Sequence, residues 1–407
     1  MLRILDQAGA TAFFNRATHR LDNASEIVKP IVQAVRDRGD VAVREYAEKL
    51  DGFTGESFIV ESCGELDPAL LESVTIAAKN IRDFAQQQLV KPWQTTTSDG
   101  RTLGQLVRPL DSVGVYVPAG RYPLLSTMLM TVIPAQVAGV REIVVVCAKP
   151  TPEMLAMAKW LGITSILKLG GAQAIAALAY GTESIGKVQR IVGPGNAYVA
   201  AAKKLVSGDV GIDFVAGPSE IVIVANSGNP QWVALDMLAQ CEHDVDARAL
   251  LLTTSAAFAT QVQHEVAAQL ATLPTADVAA KSIEKNSAII VCADEVEIID
   301  LVNEIAPEHL SLPNNLLIDQ IRNAGSIFIG PFSTEAAGDY ASGPNHVLPT
   351  SGVAALRGGL SVNDFVKVIT TQSLSEDALR QLTPAVTQLA RAEGLEAHAR
   401  SVEVRQR

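Results

Sequence analysis

A chain of 407 residues is too long for one hydrophobic core and is expected to divide into two main domains with short appendages. Its 33 Lys and Arg against 44 Asp and Glu leave a formal charge of −11 without any basic run, which argues against nucleic acid and against an anionic membrane surface as partners. With 48% apolar residues but only 5% aromatic, the composition suits an α/β protein whose sheets are covered by helices.

Residues 1–20 read as an N-terminal arm, and Met1 to Asp6 lack the long apolar stretch of a signal peptide. Residues 20–90 read as amphipathic helices, the clearest running from Ser25 to the terminal Arg38-Gly39. From Val113 the pattern becomes strand, turn, helix, repeated. Strands are predicted at Val113 to Val117, Glu142 to Cys147, Ile166 to Leu169 and Val188 to Val192. The helices between and after them cover Leu125 to Val140, Met154 to Leu161, Ala172 to Ala179 and Ala197 to Val206. A second series begins at Ser219 to Val224 and continues through helix 231–243, strand Ala249 to Leu252, helix 256–271, strand Ala288 to Val291, helix 295–306 and strand Ser326 to Ile329.

Strands separated by helices of this length imply right-handed crossovers and parallel sheets, so two Rossmann-like α/β domains are expected. One spans 113–218. The other combines a helical lead-in, 21–112, with 219–360, the two halves joining near Gly208 to Gly217. Residues 361–407 read as a helical tail rich in Gln, Ala and Arg, without an apolar face wide enough for its own core, and are expected to dock on another body such as a second subunit.

The longest uncharged run, Leu124 to Val140, is short for a membrane span and contains Ser126, Thr127, Pro134 and Gln136. Cys63, Cys147, Cys241 and Cys292 are far apart with no CxxC, and Cys147 and Cys292 end β-branched runs, as buried reduced thiols do. A soluble protein of the reducing cytoplasm is the expectation.

Four of the six histidines stand beside acids: Glu242-His243, Glu308-His309, Asp339 through His346, and Glu393 through His398. Imidazole next to carboxylate serves both metal binding and proton transfer, because the anion orients the ring and raises its basicity. Gln240 and His243 are three apart on a helix, a spacing that places two ligands on one face. Glu308 and His309 follow Pro307 in an extended segment where both can border a cleft. The Gly338–Thr350 stretch is a Gly- and Pro-punctuated loop holding Asp339, Ser342, Asn345 and His346, typical of a shaped site. Gln, His, Asp and His from three segments would supply two imidazoles, a carboxylate and an amide oxygen to one ion.

No GxGxxG or P-loop pattern is present. Gly170-Gly171-Ala172-Gln173 and Gly193-Pro194-Gly195-Asn196 each lie between a strand and a helix, where free N–H groups favour a phosphate or a polar ligand edge. Residue types and spacing alone leave open a nucleotide-dependent enzyme, a metallohydrolase using Glu308 to activate water, and a metal-stabilised oligomer.

Several blocks in order resemble the histidinol dehydrogenase family from about Val28 to the C-terminus. They are Tyr116-Val117-Pro118, Gly170 to Ala174, Val192 to Asn196, Asp213 to Glu220, Gln240-Cys241-Glu242-His243, Pro307 to Leu310, the Gly338–Thr350 loop and Glu393 to His398. The resemblance implies an intertwined homodimer and a zinc-dependent, four-electron oxidation of L-histidinol to L-histidine with two NAD. It further implies zinc ligation by Gln240, His243, Asp339 and His398, the last reaching the partner subunit, and NAD contacts from Tyr116, Gln173 and Asn196 on the 113–218 domain. By the same resemblance Ser219, His346 and Glu393 contact substrate alongside Gln240, His243, His309, Asp339 and His398, and Glu308 and His309 form the acid/base pair. Cys241, between two site residues on its helix, is expected to face away from the metal.

Overall fold

The computed structural model describes residues 2–6, 9, 20–118, 124–215 and 217–406. Most of the expected N-terminal arm lies outside the described residues. The chain divides into two compact units, Met1–Gln88 with Asp111–Phe365, and Leu89–Leu110 with Val366–Arg407.

In chain order the strands are β1 (Arg3–Leu5), β2 (Ile59–Glu61), β3 (Trp93–Thr96), β4 (Arg101–Pro109), β5 (Ser112–Tyr116), β6 (Glu142–Val146), β7 (Ser165–Leu167), β8 (Arg190–Val192), β9 (Gly211–Ile212), β10 (Glu220–Val224), β11 (Arg248–Thr253), β12 (Ala288–Val291), β13 (His309–Leu312), β14 (Ser326–Ile329) and β15 (Val366–Leu374). The larger unit holds two six-stranded sheets. The first has the order β2-β7-β6-β5-β8-β9 and is parallel except at its β2 edge. The second, β1-β12-β11-β10-β13-β14, is parallel throughout.

The chemistry of these strands explains their place. Val113, Val115, Ile221, Val222, Leu250 and Leu251 are all buried, so these strands read as unbroken apolar runs covered on both faces. Each sheet grows from its first central strand to one side and then returns to the other, which leaves a switch point between β5 and β8 and another between β10 and β13.

Side-chain caps start the helices between them. Thr151, Asn229, Ser255 and Asp294 each accept a backbone N–H in the first turn, the first two just ahead of a proline at the opening helical position. Helix Leu125–Ala138 is apolar on every side, as expected for a buried helix, and ends where Gly139 turns left-handed with φ 88°. The helix expected over 231–243 ends at Cys241, which leaves His243 beyond its last turn.

The smaller unit contains the antiparallel sheet β15-β4-β3, with β4 and β15 paired over nine residues, followed by helices Glu376–Ala392 and Glu396–Glu403. Both helices lie within 361–407, the stretch expected to be a helical tail, but Val366–Leu374 in the same stretch is a strand. The three strands were not anticipated. Lys367 to Leu374 are exposed on both faces, so no alternation of burial marks β15 in the sequence. Among the described residues no helix is long and apolar enough to cross a membrane.

Candidate functional site

Glu308 and His309 stand where β13 begins, beside Glu220 at the start of β10. Two unusual backbone residues frame this edge: Ala306 at φ 48° and Ser351 at φ 56°, the non-glycine residues with positive φ among those described. Such conformations cost about 1–3 kcal/mol each and collect where the surrounding structure needs them. Ala306 ends helix Glu295–Ile305 and aims Pro307 and Glu308 back at the sheet, while Ser351 N–H donates to Glu220 Oε1 at 2.9 Å. Glu308 Oε2 accepts from Glu220 N–H at 2.8 Å, and His309 Nδ1 lies 3.1 Å from the Glu220 carbonyl. A carbonyl only accepts, so Nδ1 carries a proton, and Nε2 is the nitrogen that gains or loses the second one. The two side chains thus grip the same residue from either side and lie 3.6 Å apart.

Helix Glu335–Tyr340 brings two more acids. Thr334 caps it, and the four-residue spacing sets Glu335 and Asp339 on one face. A side chain on Gly338 would meet the Phe328 ring at 2.5 Å, so only glycine lets this helix approach β14 closely enough. Glu335 Oε1 then lies 3.6 Å from His309 Nδ1. Asp339 Oδ1 is 3.7 Å from His309 Nε2, and its Oδ2 is 3.8 Å from His243 Nε2. His346 Nδ1–H donates to the Asp339 carbonyl at 2.7 Å, with Thr127 Oγ1 at 3.4 Å from its Nε2. Gln240 is fully buried on helix Pro230–Cys241, and Ser219 stands half-buried just before β10. Glu335 escaped the sequence reading although it lies one helical turn ahead of Asp339; that spacing was the available signal.

Buried carboxylates outnumber cations here. Burial pushes Glu308 up to about 8, against the pull of His309 and the Glu220 N–H. Burial likewise lifts Glu335 to about 8 and Asp236, on the same helix as Gln240, to about 6. His309 would be depressed by burial, but Glu335, Glu308 and Asp339 hold it up at about 10. Burial also opposes ionisation of Asp339, yet its contacts with His309 and two further imidazoles keep it below the usual range.

This environment suits a cation. Among the described residues both amide atoms of Gln240, both carboxylate oxygens of Glu335 and His309 Nε2 are buried without a hydrogen-bond partner. His309, Glu335 and Asp339 present donor atoms within 4.8 Å of one another. The 3.7–3.8 Å gaps around Asp339 are too long for hydrogen bonds. They are nearer the spacing of two ligands on one ion with bonds of about 2.1 Å. Oxygen and nitrogen donors without thiolate fit zinc and other divalent ions. Cys241 takes no part: its Sγ lies 3.4 Å from Ser287 Oγ and burial lifts its pKa to about 11, leaving no thiolate.

The residues expected to contact a dinucleotide gather elsewhere, at the carboxyl edge of the first sheet. Tyr116 ends β5, and its hydroxyl accepts from Gly171 N–H at 3.1 Å. Gln173 is fully buried in helix Gly171–Tyr180, donating from Nε2 to Asp51 Oδ2 at 2.9 Å. Gly193, at φ 112°, follows β8 and packs on the Tyr116 backbone so closely that a side chain would collide with the Tyr116 carbonyl. Beneath that turn lies a fully buried ion pair, Lys203 with Asp213. Lys203 Nζ donates to the Gly193 carbonyl at 3.0 Å, and Asp213 Oδ2 accepts from Gly193 N–H at 2.8 Å. Asn196 caps the next helix by accepting from Tyr198 and Val199 N–H, each at 3.1 Å. Both glycine turns singled out in the sequence therefore border Tyr116, next to the switch point.

Glu393 and His398 belong to the smaller unit, the first at the end of helix Glu376–Ala392 and the second within Glu396–Glu403, both exposed.

A histidinol dehydrogenase family model matches residues 14–406. The histidinol dehydrogenase of Geobacillus kaustophilus is 48% identical over 394 residues, covering 93% of each chain. That of Halalkalibacterium halodurans is 47% identical over 401 residues, covering 94% of each. The crystal structure of histidinol dehydrogenase from Elizabethkingia anophelis superposes with a TM-score of 0.93 at 35% identity, over 99% of this chain and 98% of the other. The chain belongs to the histidinol dehydrogenase family, and with it to the oxidoreductases that act on an alcohol or aldehyde.

Proposed function

We propose that the protein oxidises L-histidinol to L-histidine in two successive dehydrogenations through the aldehyde, using two NAD and one zinc ion per subunit. The observation that carries this reading is the buried cluster of Glu308, His309, Glu335 and Asp339 beside the unpartnered Gln240 amide, in a chain of this family. Gln240, His243 and Asp339 would hold the metal, with the partner subunit's His398 completing the shell in a homodimer. Zinc, when bound, supplies positive charge that anchors the imidazole and amine of the substrate and offsets the carboxylates now holding His309 high. NAD, when bound against Tyr116, Gln173 and Asn196, supplies the hydride acceptor for each step.

The residues of the chain handle the protons. His309 keeps a proton on Nδ1 through the Glu220 carbonyl, so Nε2 takes the hydroxyl proton of the alcohol and later that of the aldehyde hydrate. Glu308, buried and pinned by the Glu220 N–H, draws a proton from the water that hydrates the aldehyde. Ser219, His346 and the partner subunit's Glu393 would border the substrate and fix its orientation, together with the metal ligands and His309. Four free cysteines, three of them buried, suit work in a reducing cytoplasm.

Purified protein given L-histidinol and NAD should form two NADH per substrate, lose activity on chelation and regain it with zinc. One NADH, or none, removes the four-electron reaction. Glu308→Gln should retain the first oxidation and stall before the second, whereas His309→Asn should slow both by about 10²–10⁴.

A further inference from the structure

The Gly170-Gly171 turn looks in sequence like a place for a phosphate, but its donors are already engaged. Asp51, the last residue of a short π-helical turn, accepts from Gly170 N–H at 3.0 Å and from Gln173 Nε2 at 2.9 Å, both through Oδ2. Tyr116 Oη takes Gly171 N–H. The carboxylate is packed against the turn, within 3.0 Å of where a side chain on Gly170 would begin. A phosphate arriving here would meet an anion, not the positive end of helix Gly171–Tyr180.

What the turn still offers is complementary to something else. Gln173 Oε1 has no partner although its side chain is completely buried, and it points at Gly171, 2.9 Å from where a side chain there would start. Asp51 Oδ1 accepts no hydrogen bond among the described residues, and the Tyr116 hydroxyl, already accepting from Gly171, still has its own proton to give. Burial holds that phenol up at about 12, so the proton stays. Two acceptors, one of them a carboxylate, and one donor match a pair of neighbouring hydroxyls, each of which donates and accepts. A carboxylate on a ribose diol is also how many dinucleotide sites reject a 2′-phosphate.

We propose that Asp51, Tyr116 and Gln173 receive a ribose diol of the dinucleotide, and that Asp51 makes the protein discriminate against dinucleotides bearing a 2′-phosphate. The inference rests on the dinucleotide reading above. Lys149 is the cation nearest in effect: burial is the main influence on Asp51 and raises its pKa, while Lys149 only partly offsets this, and the two form no ion pair among the described residues. Lys149 is therefore the residue that would favour the opposite outcome.

Binding can be read without turnover, from the fluorescence of NADH and NADPH on the full-length protein and from calorimetry with ADP-ribose and 2′-phospho-ADP-ribose. The wild-type protein should bind the unphosphorylated member of each pair at least about tenfold more tightly, as a like charge at close range requires. Asp51→Asn keeps one oxygen to accept from Gly170 N–H but removes the charge and turns the other oxygen into a donor, so it should shrink that ratio about tenfold, by tightening NADPH and weakening NADH. A variant that weakens both ligands equally, or leaves the ratio unchanged, would show that Asp51 only shapes the turn and would overturn the proposal. Equal wild-type binding of both members would do the same without any variant. If neither NADH nor NADPH binds, the dinucleotide reading itself fails; if NADH binds but the ratio is flat, only the role of Asp51 does.

Discussion

Beneath the Gly193 turn, at the carboxyl edge of the first sheet, buried charge is fully answered. Lys203 and Asp213 are paired, and between them they satisfy both the N–H and the carbonyl of Gly193, while a second oxygen of Asp213 accepts from Phe214 N–H at 2.7 Å. At the amino edge of the second sheet the opposite holds. Glu335 and Gln240 are just as deeply buried, yet neither has a hydrogen-bond partner among the described residues, and three carboxylates surround one imidazole. Buried polar groups normally carry partners, so an edge that lacks them is built for something that arrives later. The Lys203–Asp213 pair is a scaffold that shapes one turn; the acidic cluster around His309 stores unfavourable electrostatics for chemistry.

If that contrast is right, substitutions at the two edges should move stability in opposite directions. The largest effect belongs to Lys203→Met, which strands Asp213 in the interior and should destabilise the fold by about 3–5 kcal/mol, read as a drop in denaturation midpoint. A loss below ~1 kcal/mol would mean that the pair is not the clamp described here. Glu335→Met should do the reverse. Removing a buried acid that accepts no hydrogen bond, even with its approach to His309, stabilises the metal-free protein by about 1 kcal/mol or more, while turnover falls because His309 loses a flanking carboxylate. Loss of both stability and activity would sink the idea of stored strain.

A smaller effect sharpens the comparison through pH. In the folded cluster Glu308 and Glu335 titrate near 8, above their ordinary 4.5, and His309 near 10, above 6.5. The folded state thus retains protons that the unfolded chain has released. The stability they contribute is complete below the unfolded values and is lost as pH rises through the folded ones. Melting temperature of chelated protein should therefore decline steadily from pH 6 to pH 9, and less steeply in Glu335→Met. A flat profile would place the cluster in ordinary contact with water.

Much of the site could be read from residue type and order. Gln240-x-x-His243, Glu308-His309 and the stretch from Gly338 to His346 announce themselves because amide, imidazole and carboxylate stand close together in the sequence, although Gly338 and Asp339 belong to a helix and not to the expected loop. Glu335 did not, since an acid in a Thr-capped helix looks like ordinary first-turn chemistry until the helix is seen packed on Phe328. Asp51 stayed hidden for a different reason: it stands 119 residues from Gly170 and 122 from Gln173, and nothing local links them.

From the amino-acid order alone come the alternation of strands and helices, the parallel sheets and the chemical character of the site, because apolar runs and helix caps act over a few residues. Only the folded chain decides which edge of each sheet is used. Tyr116 and Gly193 lie at the carboxyl ends of β5 and β8, where ligands usually meet parallel strands, yet Glu308 and His309 lie at the amino ends of β10 and β13. That placement depends on the left-handed turn at Ala306 and on the close approach of Gly338 to Phe328, and both arise from packing between distant segments.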